Sequence, residues 1–89
     1  MLNNIDFIKL RNIILKHFNN QRICIELRGI INTRFFINNS KIIINRNKIV
    51  IANDERDFSM ELMNIKKTNL KEIYHLEFLY EDLMLILEL

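Results

Sequence analysis

The sequence predicts an α+β fold: an N-terminal helix packed on a strongly bent antiparallel sheet, or a small barrel, of five to seven strands. Three observations carry this. Apolar residues recur at spacings of three and four over residues 4–18, the period of a helix with one buried side. From residue 21 the spacing drops to two, the period of half-buried strands. Turn signals then fall near 19, 29, 38, 46, 55, 68 and 81, and a spacing of about 8–12 residues marks small antiparallel sheets. At 89 residues the chain reads as a single domain, 1–89, with little length to spare.

The helix is predicted over about 4–18. Asn3 or Asn4 suits its N-cap, and Asp6 in the first turn complements the helix dipole. Ile5, Phe7, Ile8, Leu10, Ile13, Ile14, Leu15 and Phe18 form a wide apolar stripe, with Lys9, Arg11, Asn12 and Lys16 opposite. Asn19-Asn20 ends it, because Asn follows Gly in tolerance of a left-handed cap. Strands occupy about 21–89. Ile23, Ile25 and Leu27 alternate with Arg22, Cys24, Glu26 and Arg28. Gly29 reads as a turn or bulge. Ile31, Thr33, Phe35 and Ile37 alternate with Ile30, Asn32, Arg34 and Phe36, and Asn38-Asn39-Ser40 turns the chain. Residues 41–45 and 48–52 flank a tight hairpin at Arg46-Asn47, and 53–57 form a charged loop. Phe58 to Lys66 alternates again and breaks at Thr68-Asn69. Residues 70–80 fit a helix or a strand, with the aromatics favouring the strand.

Leu83 to Glu88, with one charge, is apolar on both faces. Such a strand is central in a sheet or buried between subunits, which points to a homo-oligomer. The order of helix then strands is similar to that of the Sm-like small barrel, an analogy of topology that no motif extends.

Composition excludes several classes. One glycine and no proline leave no P-loop, dinucleotide-binding turn or nucleophile elbow. One cysteine, Cys24, allows no internal disulfide and no four-thiolate zinc site. The longest apolar run, Leu83 to Leu87, is far short of the roughly 20 residues of a membrane span, and Asp6 sits where a signal peptide carries positive charge. The expected setting is cytoplasmic, with no membrane, no cofactor and no metal. His75 near Glu72 and Glu77 is at most part of a metal-ligand set.

Charge is unevenly placed. Residues 1–51 hold nine Lys/Arg against two acids, a balance of +7; residues 52–89 hold four against nine, a balance of −5. Such asymmetry implies a charged partner or cross-strand pairing within the sheet. Three functions follow as expectations. The first is a non-enzymatic interaction protein that binds a protein partner by charge complementarity through an acidic surface of Glu72, Glu77, Glu81 and Asp82. Inhibitors, antitoxins, immunity proteins and phage-type regulators of AT-rich genomes are of this kind, and the many Ile, Asn and Lys codons fit such a genome. The alternative is a nucleic-acid-binding small barrel using Arg22, Arg28, Arg34, Arg46 and Lys48, with Phe36 on the face of Arg34 to stack a base. The third is a small ribonuclease built on His75 and Glu77 with Arg28 or Arg34 as phosphate clamp.

Overall fold

A computed structural model describes residues 4–29, 31–53 and 58–89. The expected cap at Asn3 and the acids of the 53–57 loop (Asp54, Glu55, Asp57) lie outside the described residues. Helix α1 spans Asn4–Ile13 and continues as a π-helical segment, Ile14–Phe18, closed by Asn19 N–H donating to the Ile14 carbonyl (3.2 Å). The wider turn sets Leu10, Ile14 and Phe18 on one side, all buried. The helix ends where expected. Asn20 takes a positive φ of 60°, and the Asn19 side chain accepts from Ile42 N–H (2.8 Å).

Among the described residues eight strands follow: β1 Ile23–Arg28, β2 Thr33–Ile37, β3 Ser40–Ile44, β4 Lys48–Asn53, β5 Ser59–Met63, β6 Lys67–Glu72, β7 His75–Leu79 and β8 Met84–Glu88. They form two antiparallel sheets, one of five strands in the order β2-β1-β8-β7-β6 and one of three in the order β3-β4-β5. The α+β class and the bent antiparallel sheet hold. Among the described residues the sheets do not close into a barrel, and the strands number eight rather than five to seven.

The bending occurs where the chain crosses between the two sheets. Asn39 (φ 52°) lets β2 leave the large sheet and continue as β3 of the small one; Asn64 (φ 67°) returns the chain from β5 to β6. Non-glycine residues rarely hold such angles, and Asn does so at least cost.

The expected break at Thr68-Asn69 is overturned. Both residues lie inside β6, where the Asn69 amide donates to Glu77 across the ladder (3.3 Å). The chain turns instead at Asn64 and again at Ile73-Tyr74, so residues 70–80 are strand on both sides of a hairpin. The Arg46-Asn47 hairpin forms, with Asn45 Oδ1 accepting from the N–H groups of Asn47 and Lys48 (both 2.9 Å).

β8 pairs with β1 on one side and β7 on the other, so the apolar terminal strand is central in its own sheet. That placement accounts for its two apolar faces without a second subunit. Gly29 follows β1; a Cβ there would stand 2.9 Å from the Asp82 carbonyl oxygen, so the close approach of the β7–β8 turn requires glycine. The core lies between the sheets: Ile23, Ile25, Leu76, Phe78, Leu85 and Leu87 from the large one, Ile42, Ile44, Ile49 and Ile51 from the small one, closed by Leu10, Ile14 and Phe18. Among the described residues no helix is long and apolar enough to cross a membrane.

Candidate functional site: the outer face of the five-stranded sheet

Strand parity sends every second residue of the large sheet away from the core. Register assembles those residues into rows across the strands. One row runs Phe36, Cys24, Glu88, His75 and Glu72; the next runs Arg34, Glu26, Ile86, Glu77 and Asn69; a third runs Arg28, Met84, Leu79 and Lys67. The face is therefore bipolar. Arginines gather on β1 and β2, and carboxylates with a histidine gather on β7 and β8.

At the arginine end, Phe36 is 54% exposed. The Arg22 guanidinium stands 4.8 Å from its ring centroid and that of Arg34 stands 5.9 Å away, both within cation–π range. Arg34 also reaches back across the ladder, its Nε donating to Cys24 Sγ (3.1 Å). Arg28 Nε donates to Glu26 Oε2 at 2.5 Å along the same strand.

At the acidic end, His75 lies between two carboxylates. Its Nε2 is 2.9 Å from Glu77 Oε2 and its Nδ1 3.4 Å from Glu88 Oε2. The hydrogen bond to Glu77, joined by Glu88, outweighs partial burial and raises the imidazole pKa above its ordinary value. A shallow depression of about 350 Å³ opens here, lined by Glu72, Tyr74, His75, Glu77, Glu88 and Leu89. Between the two ends Ile86, 1% exposed, is covered although it points outward; its row neighbours Glu26 and Glu77 flank it.

The residues singled out from the sequence divide as follows. Arg22, Arg28 and Arg34 share this face. Arg46 sits at the β3–β4 turn, with its guanidinium 5.9 Å from the Phe7 ring centroid. Lys48 lies on the other sheet, paired with Glu61 (3.2 Å). In the acidic set, Glu77 is mid-strand and engaged by His75 and Asn69. Glu72 ends β6, opposite His75 at the start of β7, and Glu81 and Asp82 lie in the turn beyond the other end of β7. The four acids therefore form a line along β7 rather than a compact patch. His75, Glu77, Arg28 and Arg34 do come onto one face.

Sequence reasoning placed Arg22, Cys24, Glu26 and Arg28 on one side of β1. It did not foresee Glu88 beside His75, which depends on pairing between β7 and β8. Among the described residues no group of three or more His, Cys, Asp or Glu side chains is arranged to hold a metal ion. No family model matches the chain, and no curated protein or solved structure matches it either.

Proposed function

We propose that the chain is a cytoplasmic, non-enzymatic interaction module that holds a protein partner by charge complementarity through the outer face of its five-stranded sheet. The observation that carries this reading is Phe36, exposed and clasped by Arg22 and Arg34, on the same face as the carboxylates of Glu26, Glu88 and Glu77. Aromatic and arginine side chains contribute most at protein interfaces. A face with both signs of charge selects a surface with the opposite pattern and sets its orientation. A uniformly anionic partner meets attraction at β1–β2 and repulsion at β7–β8. The action would be occlusion of the partner's surface. Glu72, Glu81 and Asp82 would extend the acidic end along β7.

The test uses the chain as bait in nuclease-treated lysate, beside the variant R22A/R34A/F36A. The expected result is a stoichiometric protein retained by the original chain and lost by the variant. Equal retention by both would remove this face from the function.

A second reading is favoured by the same cluster: Phe36 with its two guanidiniums is also a stacking platform for an unpaired base. It requires affinity for single-stranded RNA or DNA that falls steeply with salt. Binding with a flat salt response, or none at low salt, excludes it. For the ribonuclease reading, both ring nitrogens of His75 lie against carboxylates, so any proton donation to a leaving oxygen would first have to break one of those contacts.

A further inference from the structure

We infer that the edge of β2 away from β1, which has no ladder partner among the described residues, is a self-association surface: two copies of this chain join by antiparallel β2–β2 pairing about a two-fold axis at Phe35. This goes beyond the proposed partner binding and needs no molecule other than the chain itself.

The edges of the two sheets differ in how they are protected. β6, the far edge of the large sheet, follows the exposed Lys66 and begins with the exposed Lys67, and its ladder shifts register between Leu70 and Glu72. Lysines and bulges are devices that keep an edge from pairing. The side of β3 away from β4 is met by the connection from helix to β1: Asn19 Oδ1 accepts from Ile42 N–H (2.8 Å), and Ser40 N–H donates to the Gln21 carbonyl (3.0 Å). β2 has neither a lysine nor a bulge, and its one charged side chain is the exposed Arg34. Its five residues, Thr-Arg-Phe-Phe-Ile, hold no lysine, and their five pairs with β1 run without a shift. Among the described residues β1 is its one ladder partner.

The spacing within β2 is also self-complementary. Pairing 33–37 onto itself in full places the axis at its midpoint. Thr33 then faces the partner's Ile37, Arg34 faces the partner's Phe36, and Phe35 faces its own copy. Side chains directly opposite in an antiparallel pair have Cβ atoms about 4.5–5.5 Å apart, within reach of a cation–π contact. Symmetry makes that Arg–Phe contact twice. A register centred on Arg34 would instead set guanidinium against guanidinium, so charge selects the Phe35-centred pairing. The product is a continuous ten-stranded sheet. Arg34 of both copies lies on its seam, Arg22 and Arg28 stand one strand further in, and the His75–Glu77–Glu88 clusters stand toward its two wings.

The sign of the charge at position 36 tests this. Light scattering of the purified chain, from low to high micromolar, is expected to give twice the 10.8 kDa of one chain. F36K sets a lysine opposite the partner's Arg34 and should weaken association at least about tenfold, giving the single-chain mass. F36E sets a carboxylate there and should keep the double mass, an outcome that simple loss of an aromatic would not produce. Wild-type chain at single-chain mass throughout, or F36K and F36E alike in either direction, overturns the proposal. Should F36K lose its fold by circular dichroism, hydrogen exchange of the unaltered chain decides. Protection of the 33–37 amides that rises with concentration upholds the pairing, and protection that does not change overturns it.

Discussion

Ser40 is the one fully buried polar side chain among the described residues, and it holds two elements together. Its hydroxyl donates to the Phe18 carbonyl at the end of the helix and accepts from Gln21 N–H (3.3 Å). Ser40→Ala leaves that carbonyl without its donor and is expected to cost about 1–3 kcal/mol in urea unfolding. Tyr80 poses the opposite case. Its hydroxyl is buried with no hydrogen-bond partner among the described residues, and burial pushes its pKa well above the phenol value. Tyr80→Phe should therefore leave stability unchanged or raise it by up to about 1 kcal/mol; a clear loss would reveal a partner for the oxygen. His75 couples the outer face to pH. Its pKa is raised in the folded chain, first by Glu77 and then by Glu88. The stability it confers is fully present below the ordinary histidine value of about 6.5 and is lost as pH rises through the raised value. The difference in stability between the original chain and His75→Gln should shrink over that interval, measured by melts at several pH values.

At the scale of elements, the corners decide how the sheets meet. Asn64 carries a positive φ at the passage from β5 to β6. Asn64→Gly is expected to be close to neutral, whereas Asn64→Val should cost about 1–3 kcal/mol, because a β-branched residue resists that region. Thermal melts of the two variants would separate a conformational requirement from a role for the amide. The corners also mark how far the sequence can be read. The run Arg22, Cys24, Glu26, Arg28 announces its face because parity is local. The helix announces its end because Asn19-Asn20 is a local stop. Thr68-Asn69 misleads: its composition suits a turn, yet the Asn69 amide is used across the ladder to Glu77. The true turn, Ile73-Tyr74, is built from residues that favour strands and gives no such signal.

For the molecule as a whole, the charge asymmetry between halves of the sequence becomes a pattern in space. Part of it is spent on pairing between the halves, as in Lys48 with Glu61. Part survives as the two poles of one face, where Arg34 and Glu26 of the first half adjoin Glu77 and Glu88 of the second through the β1–β8 ladder. That ladder is what the sequence left unread. Local patterns give the parity of each strand but not which strand lies beside it, so the basic run and the acidic run were legible separately and the junction that makes them one site was not.

The same ladder governs the order of assembly. Among the described residues every other strand pair joins neighbours in the chain, but β1 with β8 sets Cys24 opposite Glu88, 64 positions away. Bringing such distant segments together carries the largest loop-closure entropy in the molecule, and it should dominate the barrier to folding. In stopped-flow refolding, trimming that seam with Ile25→Val or Leu87→Val is expected to slow the forward rate, while Ile43→Ala on the β3–β4 hairpin leaves it nearly untouched. Equal sensitivity at both places would mean that the meander zips up without waiting for its two ends to find each other.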